Sequence, residues 1–60
     1  MITYMVILKN KSLFSKNGAM ILAYNFHIDK LTNRIVFVDD EGRNVAMFDN
    51  FDVEYVVKKS

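Results

Sequence analysis

Cysteine and proline are both missing from these 60 residues, and glycine occurs only at positions 18 and 42. Without cysteine there is neither a disulfide nor a thiolate metal site, so a chain near the lower size limit for folding must rely on packing alone. A cytosolic origin is the natural expectation. Without proline, and with two glycines, sharp chain reversals have few places to sit. Long apolar runs are lacking too. The longest, Ala19 to Tyr24, is far short of the roughly 20 residues that a bilayer helix needs. The apolar opening MITYMVIL has no basic residue ahead of it and no small-residue cleavage site, which favours a first strand over a signal peptide. Repeats, linkers and low-complexity tracts are absent, so one domain over 1–60 is expected.

What is present is apolar. Hydrophobic residues make up 52% of the chain, with five phenylalanines and three tyrosines. A domain this small buries only about 60% of the surface its unfolded chain exposes. The surplus therefore predicts coverage by a partner or by self-association, with a homodimer as the simplest form. Charge is divided along the chain. Residues 1–28 carry Lys9, Lys11 and Lys16 and no acid, whereas 29–57 carry all seven acids against Lys30, Arg34 and Arg43. Such a split marks two interaction faces, or polar turns that keep an apolar fold in solution.

Period-two alternation dominates the pattern. Ile2 to Lys9 reads as a strand with Ile2, Tyr4, Val6 and Leu8 on one face and Thr3, Met5 and Ile7 on the other. Ser12 to Lys16 leaves room for a further short strand, with Leu13 and Phe14 its only apolar residues, and Asn17-Gly18 reads as a turn or a bulge. Ala19 to Ile28 is ambiguous: Ala, Met and Leu favour a helix, while Tyr24, Phe26 and Ile28 alternate with Asn25 and His27. The alternation favours one long strand, with a β-α-β-β-β arrangement (helix near 19–30) as the alternative. In the next connection Leu31 is expected to tuck back onto the core. Asp49 to Asp52 reads as a tight turn, one 3₁₀ turn with Phe51 as an apolar plug. Val53 to Lys58 closes the sheet, with Val53, Tyr55 and Val57 on one face.

The clearest unit is Arg34 to Phe48, RIVFVDDEGRNVAMF, a β-hairpin apolar on both faces. With Asp40 and Glu41 in αR and Gly42 in αL, its turn is a type I turn closed by a glycine bulge, and Asp39 pairs with Arg43. Phe37 then faces Val45 and Ile35 faces Met47. A ribbon that is apolar on both sides must be wrapped by other chain. The reading as a whole is all-β: five short antiparallel strands forming a small SH3-like barrel or a strongly curved sheet.

The pieces ITYMVILKN, NRIVFVDDEGRNVAMF and FDVEYVV together resemble small SH3-like β-barrels, in particular short uncharacterised proteins of phages and prophages of Gram-positive bacteria. Asp40-Glu41-Gly42 and Val45-Ala46 are the most distinctive positions. The resemblance implies a fold and an origin, and it carries over no functional residues.

No reaction is announced. His27 is the only histidine, and neither a nucleophile elbow nor a phosphate-binding glycine loop is present. A non-enzymatic protein without a cofactor is expected. Asp39, Asp40, Glu41, Asp49, Asn50 and Asp52 are oxygen donors, but the spacing of a calcium loop is missing, and turn chemistry accounts for the same residues, so no metal is expected. Lys9, Lys11 and Lys16 around Leu13 and Phe14 would suit phosphates beside a stacking ring, which makes nucleic-acid binding the second reading. Against it, the isoelectric point near 8.0 lies below the usual threshold of about 9. An accessory role as a binding module is the first reading, with Phe14 as the anchor and Lys11 and Lys16 as its rim. A structural homo-oligomer is a further alternative.

Overall fold

A computed structural model describes residues 1–9 and 18–59. The described residues are all-β, with six strands: β1 (Ile2–Leu8), β2 (Gly18–Ala23), β3 (Asn25–Asp29), β4 (Arg34–Val38), β5 (Asn44–Asp49) and β6 (Val53–Lys58). A single 3₁₀ turn, Asn50–Asp52, joins β5 to β6. The strands form two three-stranded antiparallel sheets, one in the order β2-β1-β6 (sheet A) and the other β3-β4-β5 (sheet B). Among the described residues these ladders do not close into a barrel. The expected count of five becomes six because the long strand over 19–28 is divided at Tyr24. Its first part belongs to sheet A and its second to sheet B, and the Tyr24 N–H bonds to the Val38 carbonyl at 2.8 Å. The helix considered near 19–30 does not form. Ala19, Ile21 and Ala23 pair with Val6, Tyr4 and Ile2, and this pairing overrides the helical preference of Ala, Met and Leu. The short strand expected over Ser12 to Lys16 lies outside the described residues.

The core sits between the inner faces of the two sheets. Tyr4, Val6, Ala23, Ile35, Phe37 and Val53 are buried, with Ile2, Leu8, Ile21, Phe26, Ala46, Phe48 and Val56 packed around them. Tyr4, Phe26 and Phe37 form a ring cluster with centroids 5.2–5.5 Å apart, and Phe48 meets Phe37 edge-on at 6.0 Å.

Two irregularities change which residues face that core. In the β4–β5 hairpin the turn forms as expected, with Asp39 and Arg43 paired, the Gly42 N–H on the Asp39 carbonyl and Gly42 at φ 81°. Beyond it, however, Val38 pairs with Asn44 and Phe37 with Ala46, so Val45 is an extra residue in β5. This bulge turns Ala46 and Phe48 inward and leaves Val45 and Met47 exposed. The expected pairs Phe37–Val45 and Ile35–Met47 are thus replaced by Phe37–Ala46 and Ile35–Phe48. In β6, Leu8 pairs with Val53 but Ile7 with Tyr55, so Glu54 is the extra residue. Val53 and Val56 consequently face the core together, and Tyr55 and Val57 face out.

Asp39 organises the hairpin tip more than Asp40 does. Its carboxylate accepts from the backbone N–H groups of Glu41 and Arg43, each at 2.9 Å, and from Arg43 Nε at 3.0 Å. The Arg43 N–H, seconded by the Glu41 N–H and the guanidinium, holds the carboxyl below its ordinary pKa against the opposing effect of burial. A group with a depressed folded-state pKa contributes stability above the unfolded value, about 3.9, and loses it as pH falls through the folded value. Asp39→Asn should therefore lower the melting temperature at neutral pH, and the gap to wild type should narrow as pH drops below the usual carboxylate range. A gap that stays constant through that range would contradict this role.

Candidate functional site

Two surfaces stand out, both built from apolar residues that the core does not use. The first lies at one end of sheet B, where the β3–β4 turn meets the 3₁₀ turn. Asp29 accepts the N–H of Leu31 at 3.0 Å, and Asp49 accepts the N–H of Phe51 at 3.0 Å. The same device, an aspartate fixing the backbone two residues on, thus occurs twice at this end, and again at Asp39 in the hairpin tip. In each case the residue it fixes is the one whose side chain projects: Leu31 is 98% exposed and Phe51 74%. The expected tucking of Leu31 onto the core and the plug role of Phe51 are both replaced by display to solvent.

The turns are tied to each other and to sheet A. Asn50 donates its backbone N–H to the Asn33 carbonyl at 2.9 Å and its side-chain amide to Asn33 Oδ1 at 3.3 Å. Asn33 itself has φ 56°, a left-handed conformation that asparagine tolerates. The Asp52 carbonyl accepts the Lys9 N–H at 2.8 Å. The charged groups of this end balance in number: Asp29, Asp49 and Asp52 against Lys9, Lys30 and Arg34. Arg34 stands in register between Asp29 and Asp49.

The second surface is the outer face of sheet A. The register lays it out in three cross-strand rungs: Leu22–Thr3, Met20–Met5–Val57 and Gly18–Ile7–Tyr55. The Lys59 N–H bonds to the Thr3 carbonyl at 2.8 Å, which extends the first rung to Lys59. Met20, Leu22, Tyr55 and Val57 are exposed, and Thr3, Met5 and Ile7 are half-buried. The outer face of sheet B is different in kind. Its rungs are Asn25–Val38–Asn44, His27–Val36–Met47 and Asp29–Arg34–Asp49, and Val36 in its centre is buried.

Of the residues singled out from sequence, Lys11, Phe14 and Lys16 lie outside the described residues. Lys9 is exposed beside the 3₁₀ turn. Phe37 is fully buried, whereas Val45 is the outward-facing bulge residue. His27 is exposed on β3, opposite Val36. The oxygen-donor residues separate into the hairpin tip, Asp39 to Glu41, and the 3₁₀ end, Asp49 to Asp52, at opposite ends of β5. Among the described residues no group of three or more His, Cys, Asp or Glu side chains is placed to hold a metal ion. None of the helices there is long and apolar enough to cross a membrane.

No protein-family model, curated protein or solved structure matches the chain.

Proposed function

We propose that the chain is a non-enzymatic SH3-like interaction module, of phage or prophage origin, that docks its 3₁₀ end onto a larger protein of the host. Its wiring supports the class. One strand bent at Tyr24 serves both sheets, the order is β2-β1-β6 beside β3-β4-β5, and a 3₁₀ turn precedes the last strand. A small barrel of the SH3 type is built on the same plan. The observation that carries the functional reading is the display of Leu31 and Phe51 on two hydrogen-bonded, mutually tied turns. A large apolar side chain on a backbone already fixed loses little entropy on binding, which is what an anchor residue requires. Phe14, rimmed by Lys11 and Lys16, remains part of the proposed contact on the sequence pattern alone. The isoelectric point near 8.0, below the usual threshold of about 9 for nucleic-acid binders, favours a protein over nucleic acid.

The test is capture from a lysate of the native host, with and without nuclease, using wild type, Phe51→Ser and Leu31→Ser. Because both side chains are exposed, each variant should melt within about 0.5 kcal/mol of wild type. A protein captured by wild type despite nuclease, and lost in Phe51→Ser, is the expected result. Undiminished capture by both variants would contradict the proposed surface. Recovery of nucleic acid that nuclease abolishes would favour the nucleic-acid reading instead.

A further inference from the structure

The outer face of sheet A has no part in that contact, and among the described residues nothing covers it. Its three rungs contain no acid, and their only base is Lys59, at one corner. Met20 is 56% exposed and Leu22 59%. With Tyr55, Val57 and the half-buried Met5 and Ile7, they present on the order of 500 Å² of apolar surface, at the upper end of what an isolated small protein leaves open. Two such faces in contact would remove about 1,000 Å² in total, the area at which specific interfaces begin.

We propose that this face is a two-fold interface between two copies of the chain, with the axis running along the Met20–Met5–Val57 rung. The choice of axis follows from the layout. A rotation about that rung brings Met20, Met5 and Val57 of one copy onto the same residues of the other. It exchanges the two outer rungs end for end. Leu22 then meets Gly18, so the largest aliphatic side chain of one edge enters the position with no side chain at all. Ile7 meets Thr3. Lys59 meets Tyr55, where an ammonium over a phenol ring is favourable, and it also approaches Glu54 in the adjacent bulge.

Large therefore meets small, and a cation meets a ring with an acid beside it, at both ends by the same operation. β6 and the residue after it, VEYVVKK, carry an acid near one end and two bases at the other, so reversal about Val57 brings Lys59 to the Glu54–Tyr55 end. The alternative two-fold axis, along β1, would place Met20 over Val57. It would set Lys59 over Leu22 and Tyr55 over Gly18, with no acid near the lysine. Packing of two twisted three-stranded sheets face to face, roughly 10 Å apart, is a standard sandwich arrangement. The modest area makes the dimer a weak one, which forms in the micromolar range.

Sedimentation of the full chain over a concentration series is the first measurement. Wild type should pass from monomer to dimer as concentration rises through the micromolar range, and Met20→Lys, which sets two ammonium groups against each other on the axis, should raise the dissociation constant at least tenfold. Phe51→Ser should leave it unchanged. Because the chain lacks cysteine, the axis can be tested separately. Met20→Cys alone should be joined to its copy by a short bis-maleimide, which spans the roughly 10 Å between facing sheets as a direct disulfide cannot, whereas Leu22→Cys alone should not. A wild type that stays monomeric into the high micromolar range overturns the proposal. So does a dimer indifferent to Met20→Lys, and so does cross-linking that requires Met20→Cys and Val57→Cys to be mixed.

Discussion

Phe37→Ala should leave the chain largely unfolded at ordinary temperature. Phe37 is fully buried and touches three other rings, Tyr4 at 5.5 Å, Phe26 at 5.3 Å and Phe48 at 6.0 Å between centroids. Truncating it removes the transfer energy of the ring and leaves a cavity at the junction of the two sheets. Losses of about 3–5 kcal/mol are typical of such a change. Because Tyr4 comes from sheet A while Phe26, Phe37 and Phe48 come from sheet B, the cavity also loosens the contact between the sheets. A domain of this length has roughly 3–9 kcal/mol of stability in all, and no disulfide to fall back on. Urea unfolding followed by circular dichroism is the measurement. A midpoint close to that of wild type would mean that Phe37 does not sit at the centre of the core.

Gly42→Val should be the most damaging change on the surface. Gly42 has φ 81°, and a Cβ built there would meet nothing within 4 Å. Space is therefore not the obstacle. The penalty lies in the backbone: a β-branched residue in the left-handed region is expected to cost about 1–3 kcal/mol. For a domain of this size, each kcal/mol lowers the melting temperature by roughly 4–8 °C. Gly42→Asn should recover most of the loss, since asparagine enters that region more readily. Equal melting of wild type, Gly42→Val and Gly42→Asn would show that the turn is not held in this form.

The hairpin turn was legible in the sequence because its residues are specific: Asp39 closes it, Gly42 supplies the positive φ, and polar neighbours bound it. β1 was legible for a related reason, since Thr3 stands out on its outer face. The two bulges were not. Around Val45 the run Val45-Ala46-Met47-Phe48 is apolar throughout, so a shift by one residue leaves the hydrophobic pattern unchanged and only tertiary packing fixes the register. Tyr55-Val56-Val57 hides the bulge at Glu54 in the same way. The division of the long strand at Tyr24 also left no mark, because a strand that passes from one sheet to another needs no turn residue.

The candidate surfaces were harder still. Leu31 and Phe51 are exposed on turns whose backbones Asp29 and Asp49 fix, an arrangement visible only once the turns are seen. From sequence, two apolar residues in polar connections look like plugs for the core. The outer face of sheet A was legible only in β1, whose Thr3, Met5 and Ile7 fall on one side; β2 joined it through its pairing with β1, and β6 through the bulge at Glu54 that turned Tyr55 and Val57 outward.

We propose that the protein has two separate binding faces, the outer face of sheet A for a second copy and the 3₁₀ end for a host protein. An NMR dilution series on the isotopically labelled chain tests it most directly, because every backbone amide reports at once. Signals of Met5, Met20, Val57 and their cross-strand neighbours should move with concentration while those of Leu31, Asn33 and Phe51 stay fixed. Concentration-dependent shifts centred on Leu31 and Phe51, with the Met20–Met5–Val57 rung unmoved, would contradict it.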